Sequence, residues 1–351
     1  MQKRDIKDLS YQEMSSYLES LGEKPFRTTQ IFDWIYKKGA ESFDAMTNLT
    51  IVLRNRLKDD FLLEEPSLVK KDVSDDKTTK FLFDLKDKER VETVLIPTPA
   101  RTTACISTQA GCKFRCGFCA SGIGGWNRNL SCAEIVSQVL YVKNHNPEHE
   151  LSHIVFMGIG EPLDNYDNVV KAIRAINSSY GVNLAARRIT ISTCGLIPQI
   201  KKLSREGIQV ELAVSLHGYS NESRDILMPV NKKYPLHDLI ETCKEYIRAT
   251  HRQVTFEYIL IKDLTCTEKA AKELGQLLKG MICKLNLIPY NKVSEFSHEP
   301  PSKMEMLFFK KRLTESGIHA TIRMPRGRDV NAACGQLRHF LKEKEITATH
   351  A

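Results

Sequence analysis

The feature that most constrains the fold is a regular alternation of β-strand and α-helix patterns from residue 103 to about residue 325. Short apolar runs such as TACISTQ, HIVFMGIG and VELAVSLH alternate with amphipathic stretches such as SCAEIVSQVLYV and LHDLIETCKEYIRA. This alternation is typical of a parallel sheet with crossover helices. A doubly wound sheet and a full or partial (β/α) barrel both fit it, and either would carry its functional site at the carboxyl ends of the strands.

The residues before this pattern predict a smaller unit. SYQEMSSYLESLG and FRTTQIFDWIYKKG are typical of short amphipathic helices that end at Gly22 and Gly39. TKFLFDL and VETVLIP predict a β-hairpin around the polar turn KDKER, which gives a domain boundary near Pro97. We therefore expect three parts, an N-terminal unit of residues 1–97, a core of residues 98–330 and a C-terminal segment of residues 331–351.

The cysteine count and the charge indicate the class of protein. The chain has ten cysteines, its charged start is followed by no apolar signal segment, and no run is long enough to span a membrane. Because the cytosol keeps thiols reduced, we expect a cytoplasmic monomer that uses cysteines for chemistry or metal binding. A net charge of +8 favours a polyanionic partner, although a solvated basic surface gives the same count.

Three cysteines lie close together in the loop QAGCKFRCGFCASG, just after the first strand of the alternating region. Cys112, Cys116 and Cys119 have the spacing C-x3-C-x2-C. Three thiolates can bind three irons of a cubane cluster and leave the fourth iron open, whereas a structural zinc ion needs four ligands. The alternatives are a zinc site completed by Cys132 or a distant His, and a redox pair of Cys116 with Cys119.

Glycines and polar residues follow several later strands. MGIGEPL places Gly160 and Glu161 after one strand, where a glycine lets the backbone approach a ligand and a carboxylate can accept from an ammonium group. The other candidate ligand contacts at strand ends are Ser192, Ser215, Leu216, His217 and Asn291. Each of them alone more often satisfies the backbone, but the ends of parallel strands converge on one mouth.

The cysteine spacing and its position resemble the radical S-adenosylmethionine superfamily, and MGIGEPL is similar to the element that holds the methionine amino group there. The resemblance implies a partial (β/α)6 barrel with a small helical N-terminal domain and a connecting β-hairpin. It also implies one [4Fe-4S] cluster per chain, held by Cys112, Cys116 and Cys119. The open iron of such a cluster chelates S-adenosylmethionine, and one-electron reduction then releases a 5′-deoxyadenosyl radical.

Longer motifs resemble one family in that superfamily, the bacterial dual-specificity RNA methyltransferases that act on adenine C2 in 23S rRNA and some tRNAs. They are FRTTQIFDWIYKKG, VETVLIP, GGWNRNLSCAEIV, MGIGEPLDNYDNV, RRITISTCGLIP, RDILMPVN and RGRDVNAACGQLR. A sister family that methylates C8 of the same rRNA adenine shares the cluster and two catalytic cysteines, but GGWNRNL resembles the C2 group more closely. A radical enzyme acting on a small metabolite and a non-catalytic RNA-binding protein are further alternatives.

The family resemblance implies roles that the pattern leaves open. Cys334 is methylated by one S-adenosylmethionine and a second supplies the radical, so two molecules are used per turnover. Cys105 helps to remove the C2 proton and forms a disulfide with Cys334 as the product leaves, and Glu92 matches the proton acceptor. Without the resemblance, Cys105 and Cys334 would be a buried strand thiol and an inert loop thiol, and Glu92 would lie on the solvent face of an edge strand.

The resemblance also implies partners, namely 23S rRNA, tRNA and an electron donor of the flavodoxin or ferredoxin type. The target base must leave its stack to reach the barrel mouth, and the N-terminal helical unit is the expected RNA-docking element. The residues that we expect to contact phosphates are Arg128, Arg187, Arg188, Arg323, Arg326 and Arg328.

Overall fold

The computed structural model describes residues 3–338. The α-helices are α1 (Tyr11–Ser20), α2 (Phe26–Phe32), α3 (Ile51–Asp60), α4 (Cys132–His145), α5 (Tyr166–Asn177), α6 (Ile197–Leu203), α7 (Asn221–Leu227), α8 (Leu236–Thr250), α9 (Glu268–Leu277) and α10 (Lys303–Glu315). The β-strands are β1 (Arg4–Asp5), β2 (Phe61–Leu62), β3 (Ser67–Val73), β4 (Thr79–Asp84), β5 (Arg90–Thr98), β6 (Arg101–Cys105), β7 (Gln109–Gly111), β8 (Trp126–Asn129), β9 (Leu151–Phe156), β10 (Ile189–Thr193), β11 (Glu211–Ser215), β12 (Val254–Leu260), β13 (Cys283–Pro289) and β14 (Ala320–Ile322).

The N-terminal unit contains the helices predicted from the sequence, as α1 and α2, and a third helix, α3. Ser10 begins α1 with a capping box, because its hydroxyl accepts from the Glu13 amide while the Glu13 carboxylate accepts from the Ser10 amide. Beyond α2 the helix widens into one π-helical segment, Asp33–Lys37. The parallel pair β1 and β2 then brings the start and the end of the unit together.

The N-terminal unit packs directly on α4 of the larger part. The carboxylate of Asp8 accepts a hydrogen bond of 2.8 Å from the Ala133 amide, in the first turn of α4. An acceptor at this position satisfies one of the free amides of a helix start and interacts favourably with the helix dipole. Met14 and Ile31 belong to the same buried apolar cluster as Val136. The unit and the larger part therefore share one continuous core.

The predicted β-hairpin is present as β4 and β5, which pair antiparallel. It continues the main sheet, because β5 also pairs with β6, with Val94 opposite Cys105. Pro97 lies inside β5, opposite Thr102. A further strand that the sequence pattern did not predict, β3, pairs with β4 at the edge of the sheet.

The alternating region forms the predicted six consecutive β/α units, from β6 to α10, followed by β14. Strands β6 and β9 to β14 are parallel neighbours in one sheet of ten strands, ordered β14-β13-β12-β11-β10-β9-β6-β5-β4-β3. Within residues 3–338 the two end strands, β14 and β3, do not pair with each other, so the sheet stays open. This agrees with a partial barrel and excludes a closed one.

The central strands β11 and β12 are buried on both faces, which explains their nearly continuous apolar sequences. Along β10 and the second half of β9, buried and half-buried residues alternate. Ile154, Phe156, Ile191, Val214 and Phe256 have no exposed surface. Because all these strands run in the same direction, their carboxyl ends lie along one edge. Among the helices of the described residues, none combines the length and the apolar character that crossing a membrane requires.

Candidate active site

The cysteine loop begins where β7 ends and is fixed at three points by backbone hydrogen bonds. The Cys112 amide donates to Gly125 O at 2.8 Å, and the Gly117 amide donates to Leu227 O at 2.9 Å. The Ala120 amide, just after the loop, donates to Gly335 O at 2.7 Å. The loop is therefore held by β8, by the end of α7 and by the C-terminal segment.

The three thiols of the loop are electrostatic neighbours. Burial raises the pKa of all three, that of Cys112 to about 12, and the pKa of Cys116 is raised further by Cys119 and Cys112. As thiols they are neutral at pH 7, and they become thiolates together only when a cationic group binds them. This chemistry fits an iron-sulfur cluster.

The spacing of the three sulfurs does not fit a zinc ion. Among residues 3–338, the only three ligand atoms within 4.8 Å of one another belong to Glu41, Glu65 and His145, far from this loop in sequence. Tetrahedral zinc with Zn–S bonds of about 2.3 Å would bring its thiolates within roughly 3.8 Å of one another. Cys132 is also unsuitable as a fourth ligand, because it starts α4 and its sulfur lies 3.7 Å from Lys7 O of the N-terminal unit.

The turn after β9 places Gly160 and Glu161 beside β7. Gly160 has φ +101°, and a Cβ there would lie 2.5 Å from Gln109 Cβ, so only glycine fits. The Glu161 carboxylate is buried and accepts from the amides of Cys194 and Leu163 at 2.7 and 3.1 Å. Burial raises the pKa of Glu161 although these amides oppose the rise.

Two neighbouring strands carry the next expected contacts. Ser192 of β10 lies opposite Ala213 of β11, and Ser215 ends β11, both half-buried. Leu216 and His217 follow and are buried.

His217 links these strand ends to the cysteine loop. Its Nδ1 accepts from the Ile259 amide at 3.1 Å, so the ring proton resides on Nε2. Burial lowers the pKa of His217 to about 3, and the Arg224 charge adds to this effect. The ring also meets Phe118 of the loop edge-to-face, with the ring centroids 4.7 Å apart.

Cys105 and Cys334 come together although 229 positions separate their numbers. Cys105 ends β6 in a small apolar cluster with Val94, Ile159, Ala332 and Leu337. Burial raises the pKa of Cys105, and nearby Cys334 raises it further. The two thiols are therefore neighbours at the strand ends.

Cys334 is the only exposed cysteine among the ten, and it still lies against protein groups. Burial raises the pKa of the Cys334 thiol to about 11. The negative charge of Glu257 raises it further, while Arg323 opposes the rise. Glu257 is buried, and its carboxylate accepts a hydrogen bond of 2.8 Å from the side-chain amide of Asn286. The residue is thus exposed while its thiol lies against protein groups, and the thiol must lose its proton before it can act as a nucleophile.

Glu92 is buried. The alternative that it lies on the solvent face of an edge strand is therefore wrong. Strand β5 lies between β4 and β6, and only 2% of Glu92 is exposed. Its carboxylate lies 3.1 Å from Lys80 Nζ and accepts 2.8 Å from the Arg338 amide. Burial raises the pKa of Glu92, and Lys80 opposes this effect. Glu92 therefore ties the C-terminal segment to the hairpin.

Asn291 holds the C-terminal segment from the other side. Its Nδ2 donates to Cys334 O at 3.1 Å, and its Oδ1 accepts from Arg328 Nε at 3.0 Å. Arg328, expected to contact phosphates, is therefore hydrogen-bonded to one of the strand-end residues. Of the remaining arginines, Arg128 is bound by both Asp87 and Glu134, so it is not free for a phosphate.

Three residues at this site were not singled out from the sequence. Gln109 accepts from the Glu161 amide and donates to Asp164, Cys194 donates its amide to Glu161, and Arg224 is completely buried. Cys194 and Arg224 lie in the motifs ITISTCG and RDILMPVN, which were the only signal for them. Gln109 is the first residue of QAGCKFRCGFCASG, three positions before Cys112, and the cysteines drew attention away from it.

Comparison with known proteins gives two family models and close relatives. The "Ribosomal RNA large subunit methyltransferase N-terminal domain" matches residues 4–63, and the "Radical SAM superfamily" matches residues 106–273. A probable dual-specificity RNA methyltransferase RlmN of Clostridium tetani is 45% identical over 335 residues, covering 95% of both chains. Its namesake in Desulforamulus reducens is 44% identical, covering 97% of this chain and 98% of that one.

A solved structure is similar over nearly the whole length. The radical SAM methyltransferase from Sphaerobacter thermophilus superimposes with a TM-score of 0.92 at 42% identity, covering 95% of this chain and 99% of that chain. The radical SAM fold expected from the cysteine spacing is thereby confirmed.

Proposed function

Because the chain belongs to the RlmN family of radical SAM RNA methyltransferases, we propose that it methylates adenine C2 in 23S rRNA and in some tRNAs. The observation that carries the proposal is the neighbouring pair Cys105 and Cys334 at the strand ends that also hold the cysteine loop. An enzyme acting on a small metabolite has no need of this pair, and neither does a protein that only binds RNA.

Cys112, Cys116 and Cys119 would hold one [4Fe-4S] cluster, and their half-buried, electrostatically interacting thiols support this assignment. When bound, the cluster supplies the electron that cleaves S-adenosylmethionine to a 5′-deoxyadenosyl radical. The buried Glu161 carboxylate is the assigned acceptor for the methionine ammonium group, and His217 can donate from Nε2. The residues that we assign to S-adenosylmethionine are Gly160, Glu161, Ser192, Ser215, Leu216, His217 and Asn291.

Cys334 would carry the methyl group. Adenine C2 is electron-poor and has no lone pair that could attack a methyl cation, whereas a thiolate is a competent nucleophile. One S-adenosylmethionine methylates Cys334 and a second provides the radical that takes a hydrogen from the S-methyl group, so each turnover uses two molecules. Solvent access to Cys334 supports its contact with a macromolecular substrate.

Cys105 and Glu92 would complete the reaction after the methylene carbon has joined C2. Cys105 helps to remove the C2 proton and forms a disulfide with Cys334 as the methylated RNA leaves. Glu92 is the assigned proton acceptor, and burial raises its pKa, which makes its carboxylate a stronger base. Its hydrogen bond to the Arg338 amide keeps it beside the segment that carries Cys334.

RNA would be held by arginines that form no ion pair within the protein or only a long one. Within residues 3–338, Arg187, Arg188 and Arg323 form no ion pair, and Arg326 lies 4.0 Å from Asp76. The N-terminal unit is the proposed RNA-docking element, which the name of its matching family model supports. We further propose a monomer that works in the cytoplasm with a flavodoxin or ferredoxin as electron donor.

The test separates the roles of the two cysteines in anaerobically reconstituted enzyme with labelled rRNA and tRNA. Cys105→Ala should accumulate protein covalently linked to RNA through Cys334, because no thiol completes release. Cys334→Ala should give no adduct, and the double variant should behave like Cys334→Ala. Denaturing gels, peptide mass spectrometry and nucleoside analysis measure these outcomes. Normal turnover by Cys105→Ala, or methylation at C8, would refute the proposal.

A further inference from the structure

Arg224 is a buried cation whose hydrogen-bond acceptors are all neutral. It lies in α7 with no exposed surface. Its Nε donates to Leu216 O at 3.0 Å, one Nη donates to Cys194 O at 2.6 Å, and the other donates to the side-chain oxygen of Asn231 at 2.9 Å. Longer contacts reach Ser215 O at 3.4 Å and Tyr234 O at 3.5 Å. The guanidinium is thus fully hydrogen-bonded without any neutralising partner.

The charge of Arg224 faces thiols rather than carboxylates. Within residues 3–338 it forms no ion pair with an Asp or Glu, although burying an unpaired charge is costly. Four groups that carry a negative charge when deprotonated interact with the guanidinium. In order of decreasing strength they are Cys194, Cys116, Cys243 and Asp225. Of these four, Cys116 is the group that would become negative by binding a cluster.

The surrounding chain is built around this side chain. A Cβ on Gly218 would lie 2.6 Å from Arg224 Cβ, so a larger residue at position 218 would push α7 away. The last residue of α7, Leu227, accepts the hydrogen bond from Gly117 of the cysteine loop. Arg224 is therefore fixed in position relative to that loop.

We propose that Arg224 is the counter-cation of the cluster that Cys112, Cys116 and Cys119 would hold, and that it makes this cluster easier to reduce. The inference rests on the proposed function for those three cysteines. A cubane bound by three thiolates is negatively charged and gains one more negative charge when an external one-electron donor reduces it. A fixed positive charge in a water-poor site stabilises the reduced form more than the oxidised form.

The experiment measures the midpoint potential of the reconstituted full-length protein, without S-adenosylmethionine, by an EPR-monitored titration with dithionite as the reductant. Arg224→Met should lower the equilibrium constant for one-electron reduction of the cluster at least tenfold. This corresponds to a shift of the midpoint potential by about 59 mV to a more negative value. Arg224→Lys keeps the charge and should retain most of the wild-type potential. The matched control is Arg248→Met, which removes an exposed arginine on α8 and should leave the potential unchanged.

A second variant keeps the inference testable if Arg224→Met does not fold. Asn231 accepts from Arg224 and donates to Asp225 at 2.8 Å. The double variant Asp225→Asn with Asn231→Asp exchanges these two side chains. It preserves the hydrogen bond between positions 225 and 231 and the net charge, but it places a carboxylate beside the Arg224 guanidinium. This exchange should also lower the potential.

The outcomes separate the inference from the function on which it rests. If the wild type assembles no iron-sulfur cluster, the proposed function fails. If the wild type assembles the cluster but its potential is unchanged in Arg224→Met or in the Asp225/Asn231 exchange, only the role of Arg224 is refuted. An equal loss of potential in Arg224→Lys and Arg224→Met would also refute it, because the hydrogen bonds and not the charge would then be responsible.

Discussion

The ion pair of Lys80 with Glu92 leads to a stability prediction whose size follows from its burial. The atoms Lys80 Nζ and Glu92 Oε1 are 3.1 Å apart, and the two side chains are 12% and 2% exposed. Removing one partner from a buried pair leaves the other charge without a counter-ion, at a cost of about 3–5 kcal/mol. Removing both partners leaves no isolated charge. The second substitution should therefore lower the free energy of unfolding far less in the single variant than it does in the wild type.

We therefore expect Lys80→Met to lower the free energy of unfolding by about 3 kcal/mol. Glu92→Gln should cost about 2 kcal/mol, because the amide oxygen still accepts from the Arg338 amide. The double variant should lose at least about 2 kcal/mol less than the sum of the two. The assay is equilibrium urea unfolding of the metal-free full-length chain, followed by circular dichroism.

An exposed pair provides the control for this cycle. Lys201 Nζ lies 2.9 Å from Glu245 Oε2, with side chains 47% and 49% exposed. The same cycle, with Lys201→Met and Glu245→Gln, should give a coupling energy below about 1 kcal/mol. If the coupling of Lys80 with Glu92 is equally small, burial does not strengthen this pair and the reasoning is wrong.

Three further predictions concern the metal, the RNA and pH. Alanine at Cys112, Cys116 or Cys119 should abolish iron binding and the brown colour of the reconstituted protein, whereas Cys132→Ala should keep both; full iron content in a loop variant would contradict the assignment. Arg326→Gln should weaken RNA binding at every sequence and reduce the slope of log K against log salt by about 1, with an unchanged slope removing Arg326 from the interface. Because burial lowers the pKa of His217 to about 3, its ring should stay neutral from pH 8 down to about pH 5, and a 15N chemical-shift titration that shows protonation near pH 6 would refute this.

The parallel strands and the cysteine loop could be predicted because their causes are local. Strands such as β12 are buried at nearly every position and therefore appear as apolar runs. Strand β3 could not be found in this way, because SLVKKDV is largely exposed at the sheet edge and shows no apolar pattern. Its pairing is specified by β4, which is a non-local cause.

The buried charged residues escaped prediction for the same reason. Glu92 has the sequence of an ordinary exposed strand residue, and it is buried because β6 and the distant Arg338 cover it. Arg224 likewise looks like a surface charge on a short helix, while its acceptors come from separate segments around Cys194, Leu216 and Asn231. Pairings of this kind are decided by the tertiary structure, which no periodicity records.

The C-terminal segment also determines when during synthesis the site can close. Residues 327–338 cover the cysteine loop through Gly335 and Leu337, and Asp329 joins them to Ser74, 255 positions earlier. Cys116 precedes Gly335 by 219 positions, and at about 5–20 residues per second a ribosome needs roughly 10–45 s to make that stretch. For this interval the loop around Cys116 already exists while its cover does not. The nascent chain thus has an open period in which outside assembly factors can reach the three thiols, and this period lasts until residues 327–338 have been made and have folded over the loop.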